Sequence, residues 1–201
     1  MSKIDLKKEL KHLYSAPAGE PVLVEVPRMR FLMADGEGDP NNNPLFQELA
    51  NLLYGLSFSL KFAAKKTGAD YTVAPLEGLW WAEDMRGFSM DRREAWKWTL
   101  MIMQPEPIGP EMVAQARLEL ERKKQQSTVA VRFEAFSEGL CAQILHLGPY
   151  AAEASTIQRL HRFAAERGYQ LRGKHHEIYL GDPRRCAPEK LKTLLRQPVQ
   201  K

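Results

Sequence analysis

Apolar residues recur at helical spacing in five stretches of the chain and alternate with period two through much of the remainder. Leu6, Leu10 and Leu13 predict a short charged helix over Lys3 to Tyr14, and Ser15 to Pro21 reads as a linker. Met29, Phe31 and Met33 then alternate with Arg30, Leu32 and Ala34, which predicts a strand closed by Gly36, Gly38 and Asp39-Pro40. Asn43 as N-cap and Pro44 at the first helical position open a helix to about Lys66. Its stripe is Leu45, Leu49, Leu52, Leu53, Leu56 and Leu60, and Gly68 sits just past its end. Tyr71 to Trp81 reads as a strand in which Pro75 marks an edge or a bulge. Trp96 to Gln104 is a strand apolar on both faces, and Pro110 opens a helix to about Lys124.

The second half repeats this order. Strands are predicted over Val129 to Phe136 and Leu140 to Leu147, and Gly148-Pro149-Tyr150 makes the turn. A helix follows from about Glu153 to Arg167, with Ile157, Leu160 and Ala164 inward and Gly168 as its stop. Tyr169 to Leu171 and His175 to Leu180 read as strands, and Pro188 to Leu195 as a short amphipathic tail helix. Two copies of one unit about 110 residues apart predict a pseudo-symmetric α+β fold of tandem repeats. Its antiparallel sheet is expected to carry helices on one face and a ligand cleft on the other. The expected division is an N-terminal helix and linker over 1–20 and a single domain over 21–201. Within the domain, repeat one covers about 21–125, repeat two about 126–185, and the tail helix 186–201.

The stretch His175-His176-Glu177-Ile178-Tyr179-Leu180 changes the picture from fold to chemistry. Period two puts His175, Glu177 and Tyr179 on one face and His176, Ile178 and Leu180 on the other. A carboxylate inside such a strand needs a partner, a shifted pKa or a ligand. Adjacent His175-His176-Glu177 is a poor metal ligand set, because neighbours on a strand diverge and no third ligand is evident. No metal or cofactor is therefore expected.

Composition narrows the classes. In 201 residues, 44% are hydrophobic and 27% charged, enough for one sizeable core. No apolar run approaches the roughly 20 residues that cross a bilayer, and the N-terminus lacks the apolar segment of a secretion signal. Cys141 and Cys186 suggest neither a disulfide framework nor a zinc site, so a cytoplasmic location is expected. The net charge is +4, and the last 20 residues hold six Lys/Arg against two acids. Without a reading element, that excess reads as a solvated basic tail, and neither nucleic acid nor membrane is an expected partner.

Four ordered motifs carry a resemblance: Gly36-Glu37-Gly38-Asp39-Pro40, Pro75 to Trp81, His146-Leu147-Gly148-Pro149-Tyr150 and His175 to Arg185. With the tail Pro188 to Val199, they resemble the stand-alone GyrI-like small-molecule-binding proteins over nearly the whole chain. The resemblance implies a tandem strand–helix–strand–strand repeat, the fold of the drug-binding half of some multidrug-responsive transcription regulators. There an acidic residue among aromatics receives hydrophobic, often cationic, compounds. Similar stand-alone proteins hydrolyse cyclopropane-bearing, DNA-alkylating natural products, and the family's namesake inhibits a topoisomerase. By the same resemblance Glu177 occupies the acidic position, and Trp80, Trp81 and Tyr150 match positions that line the pocket.

Each candidate also has a structural reading. Glu177 is either a pocket carboxylate, for a cation or for a proton taken from water, or a structural acid bonded to Tyr, His or Arg. Trp80 and Trp81 point to opposite faces, so one packs in the core while the other either offers a flat wall or a cation–π surface or packs as well. Tyr150 either donates to a developing oxyanion or staples its turn to the core. Tyr179 shares the face of Glu177 and is placed to hydrogen-bond it. Met101 belongs to a set of methionines that suit either a core or an adaptable pocket. Three functions follow: a binder of hydrophobic, aromatic or cationic small molecules, a hydrolase of cyclopropanoid electrophiles with Glu177 and Tyr150 as catalytic candidates, and a protein-interaction module.

Overall fold

Nine strands and five α-helices form among the residues described in the computed structural model, which are 3–83, 93–124 and 130–201, Lys124 by its backbone alone. The strands are β1 (Val22–Val26), β2 (Met29–Glu37), β3 (Leu76–Trp81), β4 (Lys97–Gln104), β5 (Arg132–Phe136), β6 (Gly139–Leu147), β7 (Gln170–Leu171), β8 (His175–Tyr179) and β9 (Lys192–Gln200). The helices are α1 (Leu6–Glu9), α2 (Lys11–Tyr14), α3 (Pro44–Lys66), α4 (Pro110–Lys124) and α5 (Ala154–Glu166). Among the described residues no helix is long and apolar enough to cross a membrane.

The two long sheet-covering helices obey the same rules at their ends. Asn43 caps α3, its Oδ1 accepting from Leu45 N at 3.0 Å while its amide donates to Glu37 O at 2.7 Å. Helix α3 then stops at Gly68 (φ 93°) and α5 at Gly168 (φ 72°). In each case the residue after the glycine donates back into the last turn, Ala69 to Ala64 O and Tyr169 to Ala164 O, both at 3.0 Å.

All pairings in the sheet are antiparallel, in the order β1-β6-β9-β8-β3-β4-β2-β5, with β7 beside β9. Matching β2, β3 and β4 with β6, β8 and β9 makes this order read the same from both ends. The repeats meet where β3 pairs β8, Gly78 lying opposite Glu177. The leading strands are exchanged: β1 precedes β2 but pairs β6, and β5 precedes β6 but pairs β2.

Register assigns the faces. Trp98, Leu100 and Gln104 of β4 share a face with Trp80 of β3, His175 and Glu177 of β8 and Leu195 of β9. Both α3 and α5 cover this face. Phe46 of α3 packs edge-on to Trp98 with centroids 5.3 Å apart, and Leu160, Phe163 and Ala164 of α5 cluster with Ile144 and Leu195. The opposite face is closed by the N-terminal segment, whose Leu13 is fully buried and whose Tyr14 donates to Glu77 at 3.0 Å.

Several expectations need correction. The tail is a strand, not a helix, because β9 lies between β6 and β8 and must present both faces to covered space. Only Pro188–Lys190 forms a helical turn there. The N-terminal helix is two single turns broken at Leu10 (φ −107°, ψ 42°), and it belongs to the core. The strand after Tyr71 begins only at Leu76, since Pro75 supplies no ladder donor. Strand β1 was not expected as a separate element, and Val129 lies outside the described residues.

Candidate functional site

The repeats leave a gap between α3 and α5 over the central pair β3 and β8, and the principal cavity opens there with a volume of about 920 Å³. Phe46, Ala50, Tyr54 and Phe58 of α3 form one wall, and Tyr150, Glu153 and Ile157 the other. Trp80, His175, Glu177 and Tyr179 lie at its floor, and Leu180 to Arg185 pass along its edge. The cleft is therefore on the helix-bearing face, a correction to the expected placement. Two helices diverging over one sheet leave space between them, whereas the opposite face is filled by the N-terminal segment with its two short helices.

Period two in β8 delivers the carboxylate. Tyr179 Oη donates to Glu177 Oε2 at 2.9 Å, and Trp80 Nε1 donates to Tyr179 Oη at 3.2 Å. This relay depends on Gly78, because a Cβ there would stand 2.8 Å from Trp80 Nε1 and 3.0 Å from Tyr179 Oη. Phe46 stacks on Trp80 with centroids 6.0 Å apart, and Trp96 meets it edge-on at 5.6 Å. Tyr150 stands edge-on to Tyr179 at 5.6 Å. Burial, reinforced by the charges of Glu153 and Glu177, pushes the Tyr150 phenol up to about 12. Burial and then Glu177 raise Tyr179 as well, so both phenols remain hydrogen-bond donors at neutral pH.

Glu153 is the principal site residue that sequence reasoning missed. Its side chain is buried, and burial followed by the charge of Glu177 pushes it up to about 9. A neutral carboxylic acid thus stands beside a carboxylate, two proton states in one site. An acid in the first turn of a helix is ordinarily read as a partner for the helix dipole, so its sequence position carried no signal. Phe46, Tyr54 and Trp96 line the cavity as well, and no local pattern distinguishes them from core aromatics.

Of the expected site residues, Glu177, Tyr150, Tyr179 and Trp80 come together at the cavity. Trp81 and Met101 do not. Trp81 turns to the opposite face, where the Lys174 ammonium sits 3.3 Å from its ring centroid. Met101 shares that face, opposite Glu77 in register, and is fully buried in the core. Among the described residues no three His, Cys, Asp or Glu side chains group as a metal would require.

Behind the cavity floor, His176 lies between two buried carboxylates, Nδ1 2.9 Å from Glu138 Oε2 and Nε2 3.0 Å from Glu77 Oε2. Burial works against its charge, yet Glu138 and Glu77 hold it up to about 9. Arg196 completes the network, donating to Glu138 at 3.0 Å and to Leu13 O. This cluster ties the N-terminal segment to the underside of the site.

Comparison with known proteins places this geometry in context. The chain matches the GyrI-like small molecule binding domain over residues 19–200. It is similar to an uncharacterized conserved protein from Listeria innocua, with 39% identity and a TM-score of 0.92 over 98% of this chain and 100% of that one. A hydrolase from the same organism is 38% identical, with a TM-score of 0.85 over 98% of this chain and 100% of that one. The C-terminal domain of EcmrR shares the fold at 14% identity, with a TM-score of 0.56 over 90% of this chain and 98% of that one. No curated protein matches the chain.

Proposed function

Because the chain belongs to the GyrI-like small-molecule-binding family, we propose that its cavity receives hydrophobic, aromatic or cationic small molecules in the cytoplasm. The observation that carries this reading is the Glu177 carboxylate, held by Tyr179 at the floor of an aromatic cavity of about 920 Å³. Flat rings gain contact from Tyr54, Trp80 and Tyr150. A cation gains attraction to Glu177 that strengthens as the ligand excludes water. Titration with a cationic aromatic dye and a neutral analogue of the same shape, followed by tryptophan fluorescence, tests it. Glu177→Gln should weaken the cationic ligand by roughly tenfold or more, ~1.4 kcal/mol, and leave the neutral one within about twofold. Equal losses for both would reject Glu177 as the cation partner.

A second reading, favoured by the Glu153–Glu177 pair, is hydrolysis of cyclopropane-bearing electrophiles, a detoxifying reaction. Water adds its oxygen to a ring carbon and passes a proton to Glu177. The electron pair of the broken C–C bond moves into a conjugated carbonyl, whose oxygen takes the proton of Glu153 and a hydrogen bond from Tyr150. Proton exchange with solvent then restores the pair. The similar Listeria innocua hydrolase supports this reading. Mass spectrometry of a cyclopropanoid panel should show addition of one water by the parent protein and none by Glu177→Gln. Absence of turnover by the parent across the panel would refute it.

A further inference from the structure

The polar floor of the cavity contains more hydrogen-bonding capacity than its own residues use. His175 is 3% exposed, and neither ring nitrogen has a hydrogen-bond partner among the described residues. Its Nε2 lies 3.5 Å from Glu177 Oε1 without completing a hydrogen bond. Glu153, also 3% exposed, has no hydrogen-bond partner at Oε1 among the described residues, whereas Glu177 has committed Oε2 to Tyr179. All three residues line the cavity. His161 Nε2 is unpartnered too, but His161 does not line the cavity and takes no part.

Buried polar atoms in native proteins are almost always paired, and each one left unpaired opposes the state that buries it. The three side chains come from two directions, His175 and Glu177 from β8 and Glu153 from the start of α5. They offer acceptors and a potential donor around one small volume beneath aromatic walls. We propose that His175, Glu153 and Glu177 form a directional subsite that selects aromatic ligands bearing one N–H or O–H group, a phenol, an alcohol or a protonated amine, over quaternary cations and hydrocarbons of the same shape. A donor group there gives its hydrogen to a carboxyl oxygen, while its lone pair or a second hydrogen meets the imidazole. A quaternary ammonium satisfies the charge of Glu177 but covers these atoms without pairing them. Sites built to hydrogen-bond a ligand reject the analogue that lacks the bond, whereas apolar walls discriminate weakly.

This inference rests on reading the cavity as the ligand site, and matched pairs separate the two. The probes are 2-naphthol with 2-methoxynaphthalene, and 1-naphthylmethylamine with its N,N,N-trimethyl derivative, measured by calorimetry. The donor-bearing member should bind roughly tenfold or more tightly in each pair. His175→Phe, which keeps a ring and removes both nitrogens, should bring each pair to within about threefold, with the larger loss falling on the donor-bearing member. Should that variant not fold, as judged by circular dichroism, His175→Leu, which also has no polar side-chain atom, replaces it and the same narrowing is expected. Equal binding of the two members by the parent protein overturns the subsite while leaving the cavity reading intact. A preference that persists unchanged in the His175 variant overturns the assignment of His175. Failure of every probe to bind overturns the cavity reading and this inference with it.

Discussion

The charge state of Glu153 governs what the cavity presents to a ligand. Held up to about 9 by burial and by Glu177, it leaves the pair with one negative charge at neutral pH. Glu153→Gln mimics the protonated form, so cation affinity at pH 7 should change by less than about threefold. In the parent protein the same affinity should rise as pH climbs through about 9 and Glu153 ionises, and the variant should lose that rise. Ligand titrations on either side of that pH check both outcomes. Gly78→Ala acts on the same site through space. Its Cβ must displace the Trp80 indole or the Tyr179 hydroxyl, so ligand affinity should fall by about tenfold while the fold persists, measured by calorimetry beside circular dichroism. The face of Glu177 and its bond to Tyr179 were readable in the sequence, because a strand forces alternation. The neutrality of Glu153 was not, since it arises from burial and from Glu177, 24 positions away, both of which only the fold supplies.

At the scale of elements, local rules explain the starts and stops while tertiary cover decides one element outright. Asn43 serves α3 twice, capping Leu45 N and bracing Glu37 O at the end of β2. Asn43→Ala should therefore cost about 1 kcal/mol or somewhat more, seen as a lower urea midpoint at unchanged slope. The helices α3, α4 and α5 were readable because each has a stripe and a recognisable opening or stop. Strand β9 was not. Leu191, Leu194 and Leu195 fall at helical spacing, yet Leu195 packs under α5 while Arg196 reaches the N-terminal segment on the other side. Burial on two faces stretches the segment flat, and leucine's helical preference yields to it. Strand β1 escaped notice because its alternating pattern is short and its partner β6 is far along the chain.

For the molecule as a whole, the buried network behind the site sets the pH range of stability. His176 ordinarily titrates near 6.5 and is held at about 9, so its contribution is complete below 6.5 and is lost as pH rises through about 9. Glu138 is held at about 2 by His176 and Arg196 against the effect of burial, so its contribution is present above 4.5 and is lost as pH falls through about 2. Glu153, displaced upward, adds a further loss of stability between 4.5 and about 9. Thermal melts should accordingly give their highest Tm near pH 4.5, at the lower end of the range from 4.5 to 6.5, because the Glu153 loss begins there. His176→Gln should lower that Tm and flatten its decline towards about 9. These partners lie 38 to 99 positions apart, which is why no local pattern announced them. The exchanged leading strands carry a different consequence. A chain severed between α4 and β5 would leave two fragments, each carrying the strand that completes the other's sheet. Neither should fold alone, whereas the two expressed together should associate one to one, as size-exclusion chromatography would reveal. On that outcome the single polypeptide would be an interlocked pair of halves, with the link between α4 and β5 dispensable for shape.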